Sequence, residues 1–99
     1  MAYRIVVSAL VRHQIGDLPG HVKAQAKREI ALLSLDPRPS RCKELAGHPG
    51  YYRRWLGSDH RLVWSVDDED RCVVIHYAGP KPPDLYDRLG LARPLGPDS

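Results

Sequence analysis

The chain has 99 residues, 42% of them hydrophobic, which is enough for one domain and one small core but not for two. Its net charge of +3 is a modest excess, yet Asp67, Asp68, Glu69 and Asp70 hold four of the twelve acids in one run, so the rest of the chain carries 15 − 8 = +7. A basic body with one acidic tip suits a polyanionic ligand, two cysteines argue against a secreted disulfide scaffold, and no apolar run approaches a membrane span.

Tyr3 to Ser8 is rich in β-branched residues and is expected as a strand, followed by a short helix over Ala9 to Ile15. Asp17-Leu18-Pro19-Gly20 is a break, with Asp17 placed to cap the next helix and Pro19 in its first turn. From His21 to Leu35 the apolar residues Val22, Ala26, Ile30 and Leu33 recur at helical spacing, while Lys23, Lys27 and Arg28 fall on other faces. Asp36-Pro37-Arg38-Pro39 ends that helix, and Ser40 to Gly50 reads as loop. Tyr51 to Leu56 and His60 to Val66 read as strands around a Gly57-Ser58-Asp59 turn. Arg71 to Ala78 is a further apolar strand after the acidic turn. Gly79-Pro80-Lys81-Pro82-Pro83 stiffens its exit, and Asp84 can cap a last short helix through Leu89.

The fold class expected is therefore α+β: a small antiparallel sheet of about four strands, two N-terminal helices on one face and a short C-terminal helix. Residues 1–90 form the domain and 91–99 a flexible tail. The helices leave one sheet face free, and function is expected there.

The segment from Tyr51 to Val66 carries three arginines, Arg53, Arg54 and Arg61, among four aromatic rings. Guanidinium forks grip phosphate and flat rings stack on bases, so the hairpin suits single-stranded nucleic acid. Consecutive strand residues point to opposite faces, so only one of Arg53 and Arg54 can share the face of Arg61. The seven-residue spacing from Arg61 favours Arg54, leaving Arg53 as an ordinary surface charge, and Lys43 adds a further basic contact. His76 and His60 are the histidines able to move protons near neutral pH, with His76 in reserve as acid or base and His60 expected to point away from Arg61. Trp55 and Trp64 read as packing residues. Cys72 and His76 are too few for a metal site. No phosphate-loop, zinc-finger or nucleophile motif occurs, so no cofactor and no metal are expected.

The ordered set Leu45-Ala46-Gly47, Tyr51-Tyr52-Arg53-Arg54, Gly57, His60-Arg61-Leu62-Val63-Trp64-Ser65-Val66-Asp67-Asp68, Gly79 and Asp84-Leu85-Tyr86 resembles the RelE/ParE superfamily of bacterial toxins from type II toxin–antitoxin modules, over residues 3 to 89. The resemblance implies a cytoplasmic toxin neutralised by a cognate antitoxin. RelE-like members cut messenger RNA at the ribosome without metal, the substrate's 2′-hydroxyl attacking the adjacent phosphorus. It further implies that Arg61 holds phosphate, Lys81 donates a proton to the leaving 5′-oxygen or makes a second phosphate contact, and Tyr86 orients the nucleotide beside the cut. The stiff, weakly charged Gly-Pro-Lys-Pro-Pro run departs from the usual basic stretch. It keeps open the alternative of a ParE-like inhibitor of DNA gyrase without nuclease activity, and an inactive relative kept as a binding partner is a third reading.

Overall fold

Val6, Val7 and Ile5 open the chain as strand β1 (Arg4–Val7), and Ser8 stops it by turning its side chain onto the next helix. In the computed structural model, which describes residues 2–91, the Ser8 hydroxyl accepts the Val11 N–H at 3.2 Å and caps helix α1 (Ala9–Gly16). Asp17 is the C-terminal cap of α1, not the N-cap of the second helix. Helix α2 (Gly20–Leu33) starts at Pro19 with no side-chain cap. Proline there is consistent with the break expected at this point: it brings no N–H that would need a partner.

Strands β2 (Lys43–Glu44), β3 (Tyr51–Leu56), β4 (His60–Asp67) and β5 (Cys72–Pro80) come next, then helix α3 (Leu85–Arg88). The sheet has five strands in the order β1-β5-β4-β3-β2. β3, β4 and β5 form the expected antiparallel meander, and the expected loop over residues 40–50 contributes β2, a two-residue edge strand. β1 lies parallel to β5, with Arg4 opposite Cys72 and Val7 opposite Ile75, so the sheet is mixed. The α1–α2 excursion returns the chain across one face, and the far edge of β5 is the place left for β1.

The main core lies between that face and the two helices. Val11, Ile15, Leu18, Val22, Ala26 and Leu33 meet Tyr52, Leu56, Leu62, Trp64, Val73, Ile75 and Ala78. The buried Trp64 indole donates to the Pro37 carbonyl at 2.9 Å, which satisfies its one polar atom. Gly57 has φ +60° in the β3–β4 turn, and its N–H is taken by the Gln25 side chain at 2.9 Å, tying α2 to the hairpin. Arg38 grips Asp68 with two nitrogens, at 3.2 and 2.7 Å, and Asp68 also accepts from Tyr3 at 2.7 Å. The acidic turn is thereby pinned to the N-terminal strand.

The opposite sheet face is not wholly free. A second cluster of Leu45, Val63, Leu85 and Tyr86 sits on it, because α3 folds back over the middle of the sheet. The proposed tail falls almost wholly on residues 92–99, outside those described. No helix among the described residues is long and apolar enough to cross a membrane.

Candidate functional site

Register assigns each arginine its face. Arg54 pairs with Leu62, and Arg53 with Val63, while Trp55 faces Arg61. Leu62 is in the helix-side core and Val63 in the cluster beneath α3. Arg53 and Arg61 therefore share the α3 face, and Arg54 points the other way. The expectation from seven-residue spacing is reversed. Arg54 is spent on α2, where its Nη1 meets the Glu29 carboxylate at 2.6 Å with both side chains nearly buried. The turn offered the correct signal: three residues separate Leu56 from His60, so positions of equal parity share a face, and Arg53 belongs with Arg61.

Arg61 is only 2% exposed. Its guanidinium carbon lies 4.1 Å from the centre of the Trp55 ring, and its Nη1 donates to the Tyr86 hydroxyl. Its Nε is buried with no hydrogen-bond partner. No carboxylate pairs with it among the described residues. Burying a cation without a counter-charge is costly, which makes this guanidinium a candidate anion site. Tyr86, brought over by α3, is itself buried and also packs the helix on the sheet. Lys81 lies just past β5, and its ammonium is 5.8 Å from the centre of the Tyr86 ring; its N–H reaches the Asp59 carbonyl at 3.3 Å. Arg61, Tyr86, Lys81 and Trp55 thus gather at one end of the sheet.

Arg53 is buried further along the same face, and the exposed Lys43 sits opposite it on β2.

His76 is on this face but elsewhere. β4 and β5 pair as Trp64–Ile75 and then Val63–Tyr77, so His76 is an extra residue in a β-bulge. The bulge breaks strict alternation and sends Ala78 into the helix-side core, while His76 turns to Ser65 and Tyr51. His76 Nε2 lies 2.8 Å from Ser65 Oγ, and its ring centre is 5.2 Å from that of Tyr51. Burial lowers the His76 pKa and favours the neutral ring. Ser65 is four residues along β4 from Arg61, about 13 Å at the rise of a strand. The structure does not bring His76 to Arg61. His60 pairs with Leu56 and lines a small cavity beside Gln14, Asp17 and Leu18, away from Arg61 as expected.

A second concavity of about 610 Å³ lies between β1, α1 and α2. Ile5, Val7, Ile15 and Ile30 line it, and Arg12, Lys23 and Lys27 border it. The free edge of β1 runs beside this groove. Sequence reasoning missed the groove because its walls come from three separate elements. Among the described residues no group of three or more possible metal ligands comes together.

No protein-family model matches the chain, and no curated protein does. Solved structures do. A mutant of the E. coli toxin RelE in the free state is 25% identical, with a TM-score of 0.74 over 91% of this chain and 96% of that one. The archaeal RelE in a RelE–RelB complex from Pyrococcus horikoshii is 25% identical, with a TM-score of 0.70 over 84% of this chain and 99% of that one. A YoeB/ParE toxin from Agrobacterium tumefaciens is 14% identical, with a TM-score of 0.69 over 80% of this chain and 99% of that one, a likeness of fold alone. The chain is RelE-like across nearly all of its described length.

Proposed function

We propose that this chain is the toxin of a type II toxin–antitoxin pair and that it cleaves messenger RNA at the ribosome, in the cytoplasm, without metal. The observation that carries the reading is Arg61, a buried guanidinium with one hydrogen bond, one aromatic neighbour and no counter-ion among the described residues. A phosphodiester supplies the missing charge, and the planar fork matches its two oxygens. Tyr86 takes one of the five guanidinium donors of Arg61, and a phosphate bound there would compete with its hydroxyl for that donor and lie beside its ring. In the reaction the RNA's 2′-hydroxyl gives its proton to water and its oxygen bonds to phosphorus, while the P–O5′ bond breaks and the 5′-oxygen takes up a proton, giving a 2′,3′-cyclic phosphate and a 5′-hydroxyl. Arg61 offsets the charge that builds on the non-bridging oxygens. Lys81, whose ammonium lies 5.8 Å from the centre of the Tyr86 ring, protonates the leaving oxygen or holds a second phosphate on this reading. Arg53, not Arg54, continues the backbone track, with Lys43 beyond it. His76, held beside Ser65 four residues along β4 from Arg61, is better suited to a neighbouring nucleotide than to the cut itself.

The cognate antitoxin is the natural occupant of the β1–α1–α2 groove. Structures of RelE with RelB show such pairs for the E. coli and P. horikoshii proteins. The groove's apolar walls and basic rim suit an acidic amphipathic segment.

A second reading, inhibition of DNA gyrase without chemistry, is favoured by the exit from β5: Gly79-Pro80-Lys81-Pro82-Pro83 is stiff and carries a single cation. Controlled expression in bacteria, with mapping of messenger RNA 5′ ends, separates the two. Cuts within translated codons that vanish in a folded Arg61→Ala protein are the expected result. Full toxicity of that variant overturns the nuclease assignment, and growth arrest with intact messenger RNA moves it to gyrase.

A further inference from the structure

We propose that Trp55 is a base-stacking platform that sets which nucleotide lies beside the cut, an inference that rests on the nuclease reading. Trp55 reads from the sequence as a packing residue, and the structure places it otherwise. Of the hairpin's two indoles, Trp64 is fully buried, whereas Trp55 is 45% exposed. Burying an aromatic ring of this size stabilises a small domain by about 2–3 kcal/mol. A ring left almost half in water on the face opposite the main core gives up much of that.

Its surroundings account for the exposure. Trp55 stands across the hairpin from Arg61, with the guanidinium carbon 4.1 Å from the ring centre. The arginine covers part of the indole and the rest meets solvent. A phosphate held by Arg61 therefore brings the attached nucleoside alongside an open aromatic surface. Bases stack on such surfaces whatever their hydrogen-bonding edge, and more strongly as the base grows larger. A cation against the indole holds it in place without consuming the stacking surface. The basic groups on either side, Lys81 near Arg61 and Arg53 with Lys43 along the strand, keep the backbone on this line. The ligand that fits is a single strand, since a base paired in a duplex cannot present its face to the ring. A purine is expected at the nucleotide flanking the cut.

The test maps messenger RNA 5′ ends after expression of the wild type, Trp55→Phe, Trp55→Leu and Arg61→Ala, with melting curves confirming that each is folded. Leucine keeps an apolar cover over Arg61 but has no ring; Trp55→Gln replaces it if the leucine variant melts too low to assay. Removing one stacking partner is worth roughly 5- to 150-fold in nucleic-acid binding. Trp55→Leu should cut at least about fivefold less and lose the purine excess beside the remaining cuts, with Trp55→Phe between it and the wild type. Unchanged cutting and base composition in Trp55→Leu overturns the proposal. A uniform loss of cutting with composition unchanged also overturns it, because Trp55 would then only prop Arg61. Wild-type protein that makes no cuts removes the nuclease reading and this inference with it. Failure of stacking alone leaves the contrast between wild type and Arg61→Ala intact.

Discussion

Arg54→Ala should damage the fold and spare the activity. Arg54 and Glu29 meet at 2.6 Å, with side chains 12% and 13% exposed. Removing one partner of a buried pair leaves the other charge stranded, at about 3–5 kcal/mol. The little solvent that reaches this pair lowers the expectation to roughly 2–4 kcal/mol. A domain of this length has about 5–15 kcal/mol in total, and each kcal/mol moves its melting point by about 4–8 °C. Arg54→Ala should therefore melt roughly 8–30 °C below the wild type. Replacing both partners together, as Glu29→Leu with Arg54→Met, should recover most of that loss, since apolar side chains of similar volume need no counter-charge. The assay is thermal and urea unfolding of the three proteins, and then growth arrest at a temperature where all are folded. Arrest should persist in both variants. A folded Arg54→Ala protein that melts with the wild type, or that loses arrest, would refute the face assignment made from the strand register.

Two further outcomes concern the other faces of the molecule. Burial lowers the His76 pKa, so the unfolded chain takes up a proton first as pH falls; stability is full above about pH 6.5 and declines as pH drops through the folded-state value. Melting temperatures from pH 8 to pH 5 should show that decline in the wild type and a flatter profile in His76→Gln, and equal slopes would show that His76 does not titrate differently on folding. Charge reversal at the groove, Lys23→Glu with Lys27→Glu, should weaken capture of the antitoxin roughly tenfold, mostly through association rate, while growth arrest in its absence is retained; unchanged neutralisation in a co-expression assay would move the docking surface elsewhere.

The β3–β4 hairpin was legible because aromatic and β-branched residues on either side of a glycine turn define both strands locally. So was the second helix, whose apolar stripe of Val22, Ala26, Ile30 and Leu33 repeats at helical spacing. What escaped was non-local. Val6 and Val7 mark a strand but carry no information about its partner, so the parallel pairing of β1 with β5 was invisible. Glu44 and Lys43 make too short a strand to show a period. The bulge at His76 was hidden for a related reason. Arg71 to Ala78 reads as an unbroken strand, and only pairing to β4 reveals that one of its residues is extra. Arg53 and Arg54 are different: their faces could have been read from the sequence by counting through the odd-length turn.

The two faces of this sheet divide the arginines by what compensates them. On the helix side, Arg54 has a carboxylate, and its charge is part of the fold. On the α3 side, Arg61 has a phenol and an indole, neither of which cancels a full positive charge. A domain of this size has little free energy to spare. Selection for stability alone would favour an apolar residue at position 61, packed between Trp55 and Tyr86. On the proposed reading the arginine at that position serves an anion that arrives from outside, in competition with the Tyr86 hydroxyl for one guanidinium donor.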